Sequence, residues 1–245
     1  MLKNRSILVT GAARGLGAEI AKSVSEKGAK VIIADINTQE GQQTANKLNA
    51  DFFHVDLEDS SSIQTLINNV SKTFNGKLDG LVNNAAIATG IGGVQFEDID
   101  LTSWDKVMRV NVRGTWLMTK AAAPLLRASK SGRIVNISSD TALWGAPLLL
   151  SYVASKGAII SMTRSLAREL GSDQIGVTVV APGILTTDST DYVPEARHSF
   201  YNENRAIRGS QGAEDITDTI SFLLTKGALT LTGQVLAVNN GFVFS

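Results

Sequence analysis

Short apolar segments alternate with segments of helical periodicity along almost the whole chain. Residues 6–10 are apolar enough for a buried strand, and residues 15–28 then repeat apolar side chains at a helical spacing. The same patterns predict strands at 30–34, 52–55, 78–82, 133–137, 176–180 and 234–238, and helices at 39–49, 60–74, 103–129, 152–170 and 214–225. Near-continuous apolar strands belong in a parallel sheet that is covered on both faces. The sequence therefore predicts an α/β fold, a Rossmann-type doubly wound parallel sheet of about seven strands.

Two stretches depart from this alternation. The predicted helix over 103–129 contains Pro124, and because proline lacks a backbone N–H we expect a kink or an interruption there. Residues 186–212 are polar with scattered aromatic side chains, and a long segment of weak pattern is usually a lid or a binding loop. We therefore predict one domain over residues 1–245, with a substrate-binding lid at about 186–212.

Composition narrows the class of protein. The 245 residues include 23 basic and 23 acidic side chains and no cysteine. A formal net charge of zero argues against nucleic-acid binding, which needs a basic surface. The lack of cysteine excludes disulfides, thiolate metal sites and thiol catalysis within the chain. No segment has the pattern of a signal peptide or a membrane span, so we expect a cytoplasmic enzyme with no metal and no membrane partner.

A glycine-rich turn follows the first predicted strand, with Gly11, Gly15 and Gly17 spaced around Arg14 and Leu16. Glycines at such a turn let the backbone approach a pyrophosphate that rests on the N-terminus of the next helix. An ordinary strand–helix turn would also contain glycines. Asp35 favours the dinucleotide interpretation, because a carboxylate at the end of the second strand can bind the adenosine ribose hydroxyls.

A second group of residues has the chemistry of proton transfer. Tyr152 and Lys156 are four residues apart in a predicted helix and therefore share one face. A phenol is a poor base at neutral pH, and a nearby ammonium group favours its ionised form. Ser139 closes the preceding strand and is placed to hydrogen-bond a substrate oxygen. A Tyr-x-x-x-Lys pair is common by itself, and its position after this strand is what makes it informative.

In their order along the chain, these motifs resemble those of the short-chain dehydrogenase/reductase family, over essentially all 245 residues. The ordered set is Thr10–Gly17, Asn83–Ala86, Ser139 with Tyr152–Lys156, and Pro182-Gly183 followed by Thr187. Asp56 and Asn111 also resemble family positions, an adenine-contacting acid and a fourth catalytic residue. Two departures are Ala86, where the family usually has glycine, and Asn239-Asn240-Gly241, where Asp-Gly-Gly is frequent.

The resemblance implies a role for each matching residue. Ser139 would polarise the substrate oxygen, Tyr152 would transfer the proton, and Lys156 would lower the pKa of Tyr152 and hold the nicotinamide ribose. Asn111 would organise a water that links Lys156 to solvent. The cofactor-binding residues implied are Gly11, Arg14, Gly15, Leu16, Gly17, Asp35, Asp56, Leu57, Asn83, Ala85, Tyr152, Lys156, Pro182, Gly183, Leu185 and Thr187.

Two residues give conflicting indications about the cofactor. Arg14 resembles a basic residue that some family members use for a 2′-phosphate, whereas Asp35 would repel that phosphate at close range. We predict NAD(H), with Arg14 as a solvent-facing neighbour of the pyrophosphate.

The predicted substrate is a neutral, fairly apolar secondary alcohol or ketone, cyclic or aryl-bearing. Its site would combine Ser139 and Tyr152 with the apolar candidates Trp144, Leu149, Ile184 and Tyr192, although core packing is an equal alternative for Trp144. No basic cluster for a substrate phosphate or carboxylate is evident. The rival functions are an NADPH-dependent 3-ketoacyl-acyl-carrier-protein reductase, which Asp35 disfavours, and a catalytically silent dinucleotide sensor, which the complete catalytic set disfavours.

Uncharged surfaces together with the family resemblance predict a homotetramer. The helices at 103–129 and 152–170 carry small and apolar residues, and the uncharged tail from 227 to 245 offers a second surface. Two isologous contacts on different faces close a tetramer with D2 symmetry. The residues proposed for the helical contact are Ala121, Ala122, Ala123, Ala154, Ala158, Ile159 and Met162.

Overall fold

The computed structural model describes residues 1–187, 190 and 192–244. Its strands are β1 (Ser6–Thr10), β2 (Lys30–Asp35), β3 (Asp51–His54), β4 (Gly80–Asn83), β5 (Arg133–Ile137), β6 (Gly176–Pro182) and β7 (Val235–Val238). Its helices are α1 (Gly15–Glu26), α2 (Thr38–Leu48), α3 (Ser60–Thr73), α4 (Leu101–Val107), α5 (Thr115–Ser129), α6 (Thr141–Trp144), α7 (Leu150–Leu170), α8 (Glu195–Asn204) and α9 (Glu214–Leu223).

The seven strands form one parallel sheet in the order β3-β2-β1-β4-β5-β6-β7. This confirms the predicted fold. After β1 the chain moves outward to β2 and β3, and it then returns to place β4 on the other side of β1. Ligands of doubly wound sheets bind at such a switch point, outside the carboxyl ends of the strands. The topology therefore locates the expected site beyond Thr10 and Asn83.

The sheet is covered on both faces, as its apolar strands require. On one face Ile20 of α1 and Ile216 of α9 share a buried cluster with Ile7 of β1. On the other face Leu66 of α3 and Met118 of α5 share a second cluster with strand residues. All residues of β1, β4, β5 and β6 are buried, which matches their near-continuous apolar sequence.

Of the two outcomes expected at Pro124, a kink or an interruption, the interruption is wrong. Pro124 lies inside α5, which continues to Ser129. Because Pro124 has no backbone N–H, the Lys120 carbonyl lacks its usual hydrogen-bond donor. Both residues lie on the exposed face of α5, where water can donate to that carbonyl. The irregular turn lies earlier instead, as a π-helical segment over Met108–Gly114 between α4 and α5. Such segments are frequent at functional sites.

The predicted lid at about 186–212 is more ordered than its composition indicates. It contains α8, and it buries the side chains of Tyr201, Arg205 and Gln211. Residues 188, 189 and 191 of the predicted lid, and residue 245 of the predicted tail contact, lie outside the described residues. Among the described residues, none of the helices has both the length and the apolar character needed to cross a membrane.

Candidate active site

A cavity of about 670 Å³ opens at the carboxyl end of the sheet. Residues at or just after five successive strand ends contribute to its wall, namely Gly11 (β1), Asp35 (β2), Asn84 (β4), Ser139 (β5) and Gly183 (β6). The cavity therefore crosses the switch point from the β2 side to the β6 side. One end carries the predicted cofactor motif and the other carries the predicted catalytic residues.

The glycine turn after β1 has no room for a side chain at Gly11 or at Gly17. Gly11 has a positive φ of 64°, and a Cβ built on it would lie 2.6 Å from the Ala85 Cα. A Cβ on Gly17 would collide with the Gly11 carbonyl oxygen. The first turn of α1 has no acidic residue and its N-cap, Arg14, makes no side-chain capping bond. Free N–H groups at a tightly packed helix start suit a pyrophosphate, so the turn fits a dinucleotide.

The two asparagines after and within β4 have different tasks. Asn84 lines the cavity, and its amide donates to the Gly11 carbonyl at 2.9 Å, which ties the glycine turn to the end of β4. Asn83, predicted to contact the cofactor, points into the core and donates to Thr119 and Asn136. Asn83 therefore does not line the cavity and braces β4 against its neighbours.

Asp35 is fixed by backbone donors at the edge of the cavity. Its carboxylate accepts from Ala13 N at 3.0 Å and from Asn37 N at 2.9 Å. Arg14 lies across the turn, but its guanidinium is 3.8 Å from the Glu40 carboxylate. The amide of Asn37 holds Glu40 by donating to it at 2.8 Å. Arg14 therefore shares this part of the cavity wall with two carboxylates, those of Asp35 and Glu40.

Most other residues predicted to contact the cofactor lie on the cavity wall. The wall includes Gly11, Arg14, Leu16, Gly17, Asp56, Leu57, Ala85, Pro182, Gly183, Leu185 and Thr187. Gly15 does not line the cavity, although its positive φ of 55° shapes the turn.

Three of the four predicted catalytic residues meet at the other end of the cavity. Ser139, Tyr152 and Lys156 all line it, and the Lys156 Nζ lies 5.5 Å from the centre of the Tyr152 ring. Thr141 donates its hydroxyl to the Ser139 Oγ at 2.9 Å. Ser139 in turn hydrogen-bonds the Tyr152 phenol. Thr141, which also lines the cavity, is a site residue that the sequence analysis missed.

Burial controls the ionisation of this group. It lowers the pKa of Lys156 to about 8, and the Lys156 ammonium donates to the Ile137 carbonyl at 2.9 Å. It also raises the pKa of Tyr152 above its ordinary value, while the hydrogen bond from Ser139 opposes that shift. The sequence analysis expected Lys156 to lower the Tyr152 pKa. Desolvation has the largest effect on the phenol and acts in the opposite direction, so Tyr152 is kept protonated as an acid.

Asn111 lies behind the site rather than on its wall. It falls in the π-helical segment, and its amide donates to the Ile87 carbonyl at 3.0 Å and to the Ser155 hydroxyl at 3.1 Å. Ser155 donates to the Tyr152 carbonyl, so Asn111 is linked to the first turn of α7. The structure therefore brings Asn111 next to the catalytic helix without placing it in the cavity.

The predicted substrate wall is partly different in the structure. Leu149, Ile184 and Tyr192 line the cavity, and the Tyr192 hydroxyl reaches across its mouth to the Ala88 carbonyl. Trp144 does not line the cavity, because it packs behind Tyr201 and donates its indole N–H to the Tyr201 hydroxyl at 3.1 Å. Tyr201 lines the cavity in the place expected for Trp144. In the sequence, only its aromatic character and its position within the predicted lid indicated such a role.

The wall also carries two cations that the sequence analysis did not expect. Arg197 of α8 and Lys106 of α4 both line the cavity. Within the described part of the chain neither forms an ion pair with a carboxylate, although Arg197 donates to the Pro147 carbonyl at 3.3 Å. The wall as folded therefore carries two basic side chains, whereas the sequence analysis saw no basic cluster for an anionic substrate.

Comparison with known proteins places this site in a family. A family model described as enoyl-(acyl carrier protein) reductase matches residues 11–243. The chain is 35% identical to 2-(S)-hydroxypropyl-CoM dehydrogenase 3 of Xanthobacter autotrophicus, over 98% of this chain and 97% of that protein. It is 33% identical to a 3-oxoacyl-acyl-carrier-protein reductase of Rickettsia prowazekii, over 99% and 98% of the two chains.

A solved structure with a similar fold comes from the same kind of enzyme as these relatives. A short-chain type dehydrogenase/reductase from Mycobacterium ulcerans superposes with a TM-score of 0.93 at 26% sequence identity. The match covers 98% of this chain and 90% of that chain. The whole of the sheet and its helices is therefore shared with a known architecture.

Proposed function

The chain belongs to the short-chain dehydrogenase/reductase family and is an oxidoreductase, and we propose that it interconverts a secondary alcohol and a ketone with NAD(H). The observation that carries this proposal is the group of Ser139, Tyr152 and Lys156 at one end of a cavity whose other end holds Asp35. A silent dinucleotide sensor would have no need for that group.

Each residue of the group has a task that follows from its contacts. Thr141 donates to the Ser139 oxygen, which leaves the Ser139 O–H to donate either to the Tyr152 phenol or, in its place, to a substrate carbonyl oxygen. Tyr152, kept protonated by burial, donates its proton to the same oxygen during reduction and takes it back during oxidation. Lys156 supplies the positive charge that limits the cost of the phenolate. When bound, the nicotinamide accepts or supplies the hydride.

Support for NAD(H) over NADP(H) comes from the charges around the glycine turn. Asp35 is rigidly held, and Glu40 draws the Arg14 guanidinium towards itself. A 2′-phosphate would meet two carboxylates and a cation that is already engaged. Glu40 is thus a second acidic determinant that the sequence analysis missed.

The substrate is proposed to be apolar around its reacting carbon, in keeping with Leu149 and Ile184 on the wall. One relative is named a dehydrogenase of a hydroxypropyl compound, and another, 34% identical and from Thauera aromatica, of a hydroxy(phenyl)methyl-succinyl-CoA. These names support a secondary alcohol, including an aryl-bearing one.

A second candidate is reduction of a carrier-linked 3-oxoacyl thioester. Arg197 and Lys106 favour it, because cations on the cavity wall suit the anionic group of a carrier. Arg197→Gln would then raise KM for acetoacetyl-CoA and leave KM for a neutral ketone unchanged.

We also propose that the protein is a homotetramer and acts in the cytoplasm, as the sequence analysis predicts. Three of the residues chosen there for a helical contact, Ala122, Ala123 and Ile159, are buried inside the chain and are not available to a partner. Trp116 and Leu101, which are exposed on α5 and α4, are better candidates. Light scattering that shows a monomer at micromolar concentration would remove the tetramer proposal.

One assay tests the proposed function directly. The purified protein is given NAD⁺ or NADP⁺ with a panel of aliphatic, cyclic and aryl secondary alcohols, and acetoacetyl-CoA with NADH or NADPH. We expect the highest kcat/KM with NAD⁺ and an apolar alcohol. A higher kcat/KM with NADP⁺ contradicts the cofactor assignment, and activity with acetoacetyl-CoA alone selects the second candidate.

A further inference from the structure

The residue after Ser139 is a fully buried carboxylate that the proposed reaction does not use. Asp140 has no exposed surface, and its backbone N–H donates to the Pro182 carbonyl at 2.9 Å. Its Oδ1 accepts from the Tyr201 hydroxyl at 2.8 Å, and its Oδ2 accepts from the Asn239 amide at 3.3 Å. Buried carboxylates are costly unless they are hydrogen-bonded, so these contacts have a structural consequence.

Asp140 joins segments that are far apart in the sequence. Tyr201 belongs to α8 within the predicted lid, and Asn239 follows β7. The Tyr201 ring stacks on Phe242 with centroids 4.1 Å apart, and its hydroxyl also accepts from Trp144. One carboxylate beside the catalytic serine therefore holds both the lid helix and the loop after the last strand.

Two donors face Asp140, so both of its carboxylate oxygens must act as hydrogen-bond acceptors. The Asn239 Oδ1 accepts from the backbone N–H groups of Gly241 and Phe242, so its amide nitrogen is the group that faces Asp140. Tyr201 also donates. An asparagine at position 140 would turn its own amide donor towards one of these two donors, and one hydrogen bond would be lost.

From this arrangement we propose that Asp140 and Tyr201 are positioning residues, which hold α8 over the substrate end of the cavity at a fixed place relative to Ser139. The proposal rests on the proposed function, since it assigns substrate to that end. Tyr201 is the member of the aromatic cluster that lines the cavity, so its placement shapes the substrate wall directly.

Within the described part of the chain, three titratable or charged side chains interact with Asp140. Tyr201 and Arg205 face it from α8 and the residue that follows α8, and Tyr152 faces it from α7. Arg205 is committed elsewhere, because it donates to the carbonyls of Ile184 and Gly209 at 2.6 Å. Burial outweighs the hydrogen bonds and raises the Asp140 pKa to about 6. Protonation near that pH weakens the contact with Tyr201, so substrate binding should weaken below it.

The experiment compares Tyr201→Phe, Asp140→Asn and the double variant with Phe200→Leu as a matched control. Phe200 lies on α8 in the same aromatic cluster, but it neither bonds Asp140 nor lines the cavity. KM and kcat are measured with NADH and a neutral aryl ketone, acetophenone, and NADH affinity is measured by fluorescence. Hydrogen exchange of the α8 amides gives a readout that needs no turnover.

We expect each single variant to raise KM about tenfold, the order expected for one charge-assisted hydrogen bond, with NADH affinity unchanged. The double variant should resemble the singles, because both remove one contact. KM should rise below about pH 6 in the wild type and not in Asp140→Asn. Exchange of residues 195–204 should accelerate in both singles, while α1 is unaffected.

The proposal would be overturned if the KM increases of the two single variants add in the double variant, or if Phe200→Leu raises KM equally. Hydrogen exchange of α8 that is unchanged in the single variants would also overturn it. If Tyr201→Phe does not fold, the hydrogen-exchange and pH measurements on Asp140→Asn alone test the proposal. If acetophenone is not reduced, the proposed function is at fault for that substrate, whereas the exchange data still decide the role of Asp140.

Discussion

The two ends of the cavity are built by different means. At the cofactor end the wall includes the short glycine turn after β1, and Asp35 is held by backbone donors only two and 22 residues away. At the substrate end the wall depends on side chains, and the Asp140 contacts span 61 and 99 residues. Local geometry therefore fixes the cofactor end, whereas tertiary packing fixes the substrate end.

Charged side chains also mark the cofactor end, where Asp35, Glu40 and Asp56 lie on the wall together with Arg14. Carboxylates suit ribose hydroxyls and disfavour an additional phosphate. Substitutions at each end should therefore change different measured quantities.

The largest effect is expected for Tyr152→Phe, which removes the transferable proton between the two ends. Turnover should fall by at least about 10²-fold, while NADH affinity is largely kept. Tyr192→Phe is the matched control, because it removes a hydroxyl from the cavity wall without removing the acid. A Tyr152→Phe variant with near wild-type kcat would show that another group transfers the proton.

The second prediction concerns the pH dependence of folding stability, which Asp140 at the substrate end should influence. The Asp140 pKa is raised to about 6 in the folded chain from 3.8, so the folded state binds more protons than the unfolded state between about pH 4 and 6. Stability should fall by up to about 3 kcal/mol as pH rises through that window. In Asp140→Asn this contribution is absent.

Urea denaturation at several pH values measures this difference. The free energy of unfolding of the wild type minus that of Asp140→Asn should decrease from pH 4 to pH 7. A difference that is independent of pH would mean that the pKa of Asp140 is not raised by folding.

A smaller effect is expected at the cofactor end. Asp35→Ala should lower the preference for NAD⁺ over NADP⁺ by roughly 10- to 100-fold, the range for a hydrogen bond to a charged group. Asp51→Ala, an exposed acid at the start of β3, is the control. The ratio of kcat/KM values for the two cofactors is the measurement, and an unchanged ratio would shift the assignment to Glu40.

The smallest effect is expected from proteolysis of the predicted lid. Arg208 is exposed and should be cut by trypsin first, whereas Arg205 is buried and should resist. If the segment closes over ligand, NADH and a substrate analogue, each at about ten times its dissociation constant, should slow cleavage roughly tenfold. Equal rates with and without these ligands would argue that the segment is not a closing lid.

The sequence by itself determined the sheet and the glycine turn of the cofactor end, whereas the inward-facing Asn83 and the place of Glu40 beside Arg14 were seen only in the structure. Buried strands such as β1 and β6 are near-continuous apolar runs, and the turn from Gly11 to Gly17 is a local motif whose glycines permit its positive φ angles. The catalytic spacing of Tyr152 and Lys156 is likewise local, since one turn of helix places both on one face. These features need no knowledge of distant contacts.

Only the tertiary structure decided the substrate end. Trp144 and Tyr201 are both aromatic, and nothing in their local sequence says which one faces the cavity. That choice depends on Asp140, whose two oxygens collect donors from α8 and from the loop after β7. The direction of the Tyr152 pKa was also decided there, because desolvation depends on everything that packs around the phenol.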